Sequence, residues 1–295
     1  FLTFCSMNAG EETAEGQVSL ADMRGLYRSG DIGPATILFG LLGYPIHRSA
    51  SPALFNRLFR EQELDAVYLP LPLRQIDALR SIVDALPLRG VSVTIPHKVS
   101  VMAHLDALSD EARGIGAANT ILNDGGRLVG HNTDAGGAIG PILAAVRRKH
   151  GSNLDGMRTL VIGYGGAARA IAWGLRREGA EVVMTGRDEA KARRVAEAVG
   201  CRSVPADAAN GDYRLLVNAT PVSETLPIPQ LKITSRMVVF DAVYTVPETE
   251  LLRRAKSAGA AVVPGIEMFL AQAGAQARLF AGIDLSPEAL RSFMS

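Results

Sequence analysis

"TLVIGYGGAARAIAWGLRREGAEVVMTGR", residues 159–187, decides the fold. Leu160, Val161 and Ile162 form a short apolar run that reads as a buried strand. Gly163-Tyr164-Gly165-Gly166-Ala167-Ala168 then spells G-x-G-x-x-A and enters a helix with Ala168, Ile171, Ala172 and Leu175 on one face. A second apolar run, Val182–Met184, follows. Strand, glycine turn, helix and strand in that order make a βαβ unit with parallel strands. Gly163 permits the tight turn, Gly165 lets backbone approach a pyrophosphate, and Ala168 allows close helix–strand contact. The helix start, with Gly166 and Ala167, offers free N–H groups and the positive dipole end to phosphate. The spacing therefore predicts a dinucleotide site.

The end of the second strand selects the cofactor. A carboxylate there suits the free ribose 2′-OH of NAD, and an arginine suits the 2′-phosphate of NADP. The stretch "TGRDEAKARR" supplies Arg187, Lys191 and Arg194 against Asp188. Three cations against one carboxylate predict NADP, with NAD as the alternative.

Toward the N-terminus, the polar "RRKHGSNLDGMR" (147–158) reads as a linker. Before it, "TILFGLLG" (36–43) is a strand stopped by Gly43 and Pro45. "SPALFNRLFREQEL" follows as a helix with Ser51 at the N-cap, Pro52 at the first helical position, and Leu54, Phe55, Leu58 and Phe59 on one face. "AVYLPLPL" is a strand that its prolines confine to an edge. "QIDALRSIVDAL" is helical, and "GVSVTIP" is a strand that Pro96 ends. This rhythm implies an α/β domain with a largely parallel sheet. The expected organisation is a two-domain α/β protein: a tail over 1–32, a mainly parallel α/β domain over 33–150, and a Rossmann-like NADP-binding domain over 151–264.

Lys98 stands at the carboxyl end of the third strand, where open α/β sheets place ligand crevices. A lysine carries protons poorly at neutral pH unless burial or a nearby charge retunes it. Asp134, in "GHNTDAGG" (130–137), offers a carboxylate to position it, and "GAANT" (116–120) offers Asn119. Each also has a plainer reading: Lys98 as a surface charge, Asn119 and Asp134 as turn or cap formers.

Composition narrows the rest. The 295 residues are 47% hydrophobic, enough for one large core or two ordinary ones. The formal net charge is +1 and the basic residues are scattered, so no nucleic-acid or membrane footprint is expected. Two distant cysteines, Cys5 and Cys201, make no disulfide framework and imply a reducing, cytoplasmic compartment. No apolar run reaches membrane-span length, no signal peptide is expected, and no metal site is expected. The chain begins with Phe1, which suggests a piece of a longer polypeptide.

Taken with the serines of "GYPIHRSASP" (43–52), this set resembles the shikimate dehydrogenase family over nearly all of residues 36–295. The resemblance implies NADP-dependent, reversible reduction of 3-dehydroshikimate to shikimate, a step of aromatic amino-acid (chorismate) biosynthesis. Ser49 and Ser51 would bind the substrate carboxylate, and "VSVTIPHK" would give Thr94 as a substrate contact and Lys98 as the proton-transfer residue. "GAANT" and "HNTD" would place Asn119 on substrate hydroxyls and pair Asp134 with the lysine. "VIGYGGAARA" would be the cofactor loop. "LLVNATPV" would approach the cofactor through Asn218, Ala219 and Thr220. "FDAVYTVPETELLRRA" would set Tyr244 by the substrate. "GIEMFLAQAGAQ" would bring Gly265 to the cofactor and Gln272 to the substrate, with C-terminal helices over about 265–295 completing the first domain. Three motifs depart from the family: Arg48 stands for its usual histidine, Gly186-Arg187-Asp188 for its Asn-Arg-Thr, and Ser223 for a common glycine. A quinate/shikimate dehydrogenase using NAD or both cofactors, and a non-catalytic shikimate-binding sensor, are the alternatives.

The N-terminal stretch resembles the C-terminal end of a type I 3-dehydroquinate dehydratase, through "TAEGQVS" with Thr13 and Gln17. Bifunctional enzymes join such a domain directly to a shikimate dehydrogenase. That resemblance implies a dehydratase domain upstream in the same polypeptide, and no dehydratase activity from this chain by itself.

Overall fold

The computed structural model describes residues 5–7 and 17–294, so Thr13 lies outside the described residues. In chain order the elements begin with α1 (Leu20–Gly25), β1 (Ile37–Gly43), α2 (Ser51–Glu61), β2 (Ala66–Pro72), α3 (Leu79–Ala85) and β3 (Leu88–Val93). Next come β4 (Ala107–Leu108), α4 (Asp110–Ile115), β5 (Thr120–Asp124), β6 (Arg127–His131) and α5 (Asp134–His150). The glycine-turn region forms β7 (Arg158–Ile162), α6 (Gly166–Arg177), β8 (Glu181–Thr185), α7 (Glu189–Ala198) and β9 (Arg202–Ser203). The chain continues through β10 (Leu215–Asn218), β11 (Val238–Asp241), α8 (Glu250–Ser257), β12 (Ala261–Pro264), α9 (Gly265–Ala281) and α10 (Pro287–Arg291). These fall into two units: one runs to Leu108 and adds Ala118–His131 and the chain from Gln276 on; the other holds Ser109–Ala117 and Asn132–Ala275.

The first unit is built on a sheet of order β2-β1-β3-β5-β6-β4. β2, β1 and β3 are parallel, but β5 is antiparallel to both β3 and β6. The sheet is thus more mixed than the alternation of strands and helices implies. The reason is local: Gly125 (φ 58°) and Gly126 (φ 95°) make a two-residue hairpin whose left-handed backbone glycine reaches without strain. β2, with Pro70 and Pro72, lies at an edge, where a missing N–H costs no ladder bond. Leu54, Phe55, Leu58 and Phe59 of α2 are fully buried. Phe55 stacks on Tyr68 at 4.6 Å, and Phe280 of α9 joins with its ring 5.0 Å from Phe39. A Cβ on Gly90 would sit 2.6 Å from the Phe280 ring, so β3 needs glycine where that ring lies.

In the second unit the sheet is entirely parallel, order β12-β11-β10-β7-β8-β9. The chain winds outward from β7 through β8 to β9, then returns to lay β10 on the other side of β7. That reversal is a topological switch point, and it opens a crevice at the strands' carboxyl ends. Ala168, Ile171 and Leu175 of α6 pack in one core with Val161, Val217 and Phe240.

α5 belongs to this second unit, not to the first domain as the expected boundary near 150 has it. Its Ala135, Ala138 and Ile142 share the core of α6, and a Cβ on Gly174 would sit 2.8 Å from Ile139. The supposed linker begins as the last turn of α5, where Arg147, Arg148, Lys149 and His150 suit the negative dipole end. Gly151 (φ 64°) closes that helix by donating to the Arg147 carbonyl.

Candidate active site

In the first unit, backbone bonds draw three loops to the carboxyl ends of β1 and β3. Thr94 N donates to Leu42 O (2.8 Å), and Tyr44 N to Ile95 O (2.9 Å). Val93 N donates to Asn119 O (2.7 Å), and Ala118 N to Lys98 O (2.8 Å). These bonds gather the loops carrying Ser49, Ser51, Thr94, Lys98 and Asn119. Gly43 makes the approach possible, since a Cβ there would lie 2.8 Å from the Ile95 carbonyl oxygen. β3 ends at Val93, before Pro96. The turn that follows presents Lys98, half-buried, and is pinned by a residue that sequence reasoning missed. Buried His97 holds its Nε2 2.7 Å from Leu73 O, and its backbone N donates to Thr94 O. A carbonyl only accepts, so Nε2 carries the proton.

Ser51 does not cap α2. The N-cap is Ala50, in αR conformation (φ −79°, ψ −7°), with no side-chain cap bond. Ser51 is the first helical residue, and the turn at Ala50, rather than an extended stretch, brings the two hydroxyls within 3.3 Å of each other. His47 and Arg48 are exposed beside them.

In the second unit, Gly163 (φ 129°) has no room for a side chain. A Cβ there would lie 2.9 Å from Ala219 O and 3.3 Å from the Ala168 Cβ. The loop after β10 therefore rests directly on the turn. Gly165 is the N-cap of α6 without a side-chain cap bond, and a Cβ on it would meet nothing within 4 Å. Open space over a helix start whose first N–H groups lack helical partners fits a pyrophosphate. Gly186 likewise admits the Tyr164 ring, 2.6 Å from where a Cβ would be.

Asp188 caps α7. Its Oδ1 accepts from Lys191 N (2.9 Å), and its Oδ2 pairs with Lys191 Nζ (3.0 Å). These bonds to Lys191, backbone first, hold the Asp188 carboxyl below the usual range. Both oxygens are engaged on its own helix, which answers the objection Asp188 raises to NADP. Lys191 spends its charge on Asp188, while Arg187 and Arg194 stand exposed.

Beneath the crevice lies a second group that the sequence did not signal. Asp241, the last residue of β11, is fully buried and accepts from Asn218 Nδ2 (3.0 Å), Val243 N (3.0 Å) and Thr249 Oγ1 (2.7 Å). Burial pushes its carboxyl up, and those bonds partly oppose the shift. Asn218 in turn accepts from Thr220 N and Thr220 Oγ1, at 3.0 and 2.7 Å. One carboxylate thus ties the Thr220 loop to the Tyr244 loop. Tyr244 stacks on Phe269 at 4.5 Å, and it shares a cavity of about 410 Å³ with Pro247, Gly265 and Ile266. A Cβ on Gly265 would lie 2.6 Å from the backbone of both Ala242 and Val243.

Asp134 is buried as the first residue of α5, its N–H donating to Asn132 Oδ1 (3.0 Å). Gln272 lies against the same turn: Thr133 Oγ1 donates to its Oε1 (3.4 Å), and a Cβ on Gly137 would meet its backbone N at 3.0 Å. The first unit therefore holds Ser49, Ser51, Thr94, Lys98 and Asn119. The second holds Asp134, Tyr244, Gln272, the glycine turn, Arg187, Lys191, Thr220 and Gly265. Among the described residues no helix is long and apolar enough to cross a membrane, and no group of three His, Cys, Asp or Glu could hold a metal ion.

A parallel sheet with a switch point, a glycine turn at its central strand and an exposed arginine after the next define a dinucleotide-binding α/β protein. Residues 41–121 match the family profile for the shikimate dehydrogenase substrate binding domain. The Maridesulfovibrio salexigens shikimate dehydrogenase (NADP(+)) is 37% identical over 268 residues, covering 87% of this chain and 96% of that protein. The Arabidopsis thaliana chloroplastic bifunctional 3-dehydroquinate dehydratase/shikimate dehydrogenase is 34% identical over 314 residues. That alignment takes in 100% of this chain but 52% of the Arabidopsis protein, so the chain spans about half of that relative's length. The crystal structure of Thermus thermophilus shikimate 5-dehydrogenase with NADP(H) and shikimate is 36% identical, with a TM-score of 0.76 over 88% of this chain and 98% of that one. The chain belongs to the shikimate dehydrogenase family.

Proposed function

We propose that this chain catalyses the NADP-dependent, reversible reduction of 3-dehydroshikimate to shikimate. The observation that carries the reading is the gathering of Ser49, Ser51, Thr94, Lys98 and Asn119 at one carboxyl edge, in a chain that also builds a dinucleotide turn. In this reading the first unit binds substrate and the second binds NADP. The Ser49 and Ser51 hydroxyls hold the carboxylate, and Asn119, Thr94, Tyr244 and Gln272 orient the ring. The starts of α6 and the turn at Gly163–Ala167 hold the pyrophosphate, Arg187 the 2′-phosphate, and Thr220 and Gly265 flank the nicotinamide. When bound, the reduced nicotinamide supplies the hydride that the ring carbonyl carbon accepts. Lys98 Nζ gives its proton to the carbonyl oxygen, and Asp134 balances the lysine charge; in the reverse direction Lys98 takes the proton from the hydroxyl. Fixing both reactants in contact geometry contributes much of the acceleration.

Residues 1–32 are assigned to the end of a dehydratase domain in a longer polypeptide, supported by an Arabidopsis alignment that takes in 100% of the chain. Two free cysteines suit a reducing compartment, and burial pushes the Cys201 thiol up to about 11, away from the range of a reactive thiolate. The test is absorbance at the nicotinamide band with shikimate or quinate and each oxidised cofactor. The expected result is shikimate-dependent reduction, faster with NADP than with NAD. Binding of shikimate with no reduction of either cofactor would establish a sensor instead.

A further inference from the structure

We infer that Gln276 is a positioning residue: acting through Thr120, it fixes which end of the Asn119 amide faces the substrate. The inference rests on the substrate role proposed for Asn119. Gln276 lies on α9 one helical turn past Gln272, and it is 2% exposed. Its Nε2 stands 3.1 Å from Asn119 O and 2.9 Å from Thr120 Oγ1, and its Oε1 stands 3.0 Å from Ser92 Oγ. Thr120 Oγ1 is 2.9 Å from Asn119 Oδ1. All four residues are buried in the first unit, Thr120 at 0% exposure, so water does not compete for these groups.

The polarity of this chain of bonds is dictated from one end. The Asn119 backbone carbonyl can only accept, so the Gln276 atom beside it is the amide nitrogen. That choice turns the Gln276 oxygen toward Ser92, whose hydroxyl donates to it. The second Gln276 N–H points at Thr120 Oγ1 and occupies a lone pair there. The Thr120 proton is then directed at Asn119 Oδ1. An Asn119 amide turned the other way would aim a second N–H at Thr120 and leave the threonine proton without that buried acceptor, a costly arrangement. Asn119 therefore spends its oxygen inside the network, and the end it turns to a ligand is the Nδ2 donor. Such a residue selects ring substituents that accept, a hydroxyl or carbonyl oxygen, and disfavours an ammonium group at the same place.

The experiment compares Thr120→Val, Thr120→Ser and Gln276→Met in the full chain. Loss of one directing hydrogen bond should raise the KM for shikimate by about five- to tenfold in Thr120→Val. The serine variant should restore the wild-type value, because it keeps the hydroxyl. The KM for NADP should stay within about twofold in both variants, which a general loss of structure would not allow. Gln276→Met should follow Thr120→Val. Equal shikimate KM values in the valine and serine variants would overturn the inference. A second readout needs no activity: the Asn119 side-chain amide resonances of the ligand-free protein should move in Thr120→Val and hold in Thr120→Ser. If they behave so while the wild-type chain turns over no shikimate, the functional reading fails and the positioning network stands. Unmoved resonances in Thr120→Val sink the network itself.

Discussion

Replacing both Ser49 and Ser51 by alanine tests the carboxylate site with the least structural disturbance. Neither serine is the N-cap of α2, since that position is Ala50, which makes no side-chain bond, and only Ser49 Oγ reaches a helix-start N–H, that of Ser51. The bonds the pair does make, Ser49 Oγ to Ser51 Oγ and Ser51 N to Ser49 Oγ, are long at 3.3 Å each. Losing a true serine cap typically costs about 1 kcal/mol, which for a domain of this size is a few degrees in Tm. The double variant should therefore melt within about 2 °C of the wild type. Binding is a different matter. A hydrogen bond to a charged group is worth about 1.5–3 kcal/mol; buried Ser51 should contribute in that range and half-exposed Ser49 toward its lower end. Together they amount to about 3–5 kcal/mol, a rise in the KM for shikimate from about 10²-fold to several thousandfold. Turnover should change less, because contacts remote from the reacting carbon are shared by ground and transition states. Steady-state NADP reduction and a thermal melt of each single and the double variant supply the two numbers. A fall in Tm with an unmoved KM would refute the reasoning and return Ser51 to a helix-start role, with exposed Arg48 the next carboxylate ligand to try.

Lys98→Ala should lower kcat by a factor of roughly 10²–10⁴ with little change in substrate affinity, the usual share of a general acid–base group; near-wild-type turnover would make Lys98 a surface charge. Arg187→Ala should weaken NADP binding about ten- to a hundredfold and leave NAD binding nearly alone, because only NADP carries the 2′-phosphate; equal losses would assign Arg187 a structural role. Asp241→Asn should be tolerated, since an amide oxygen can still accept from Asn218 and Val243 while its NH₂ donates to Thr249. Burial raises the Asp241 pKa above its unfolded value, so its contribution to stability is present below the unfolded pKa and is lost as pH rises through the folded one. The asparagine variant should lack that loss, and its Tm should fall less than the wild type's from pH 4 to 7. Parallel curves would show that Asp241 does not titrate in that window.

The signals legible in the sequence were those carried by near neighbours along the chain. The turn at Gly163–Ala168, the faces of α2 and α6, the edge position of β2 and the arginine after β8 each follow from spacing within one strand or one helical turn, where backbone periodicity sets which side chains meet. Tertiary structure decided what that periodicity cannot encode. Whether Ser51 or Ala50 caps α2 depended on a turn conformation, and Asp188 became a cap once α7 began immediately after it. The polar run at 147–158 looked like a linker because a solvated helix end and a connector share a composition, and only the apolar contacts of α5 with α6 tell them apart. Gln276 bonds to Thr120 across 156 positions, and Asn218 to Asp241 across 23. Such bonds leave no mark on spacing: burial makes an unmet polar group costly, but which distant partner meets it is settled only when the sheet and helices bring the two together.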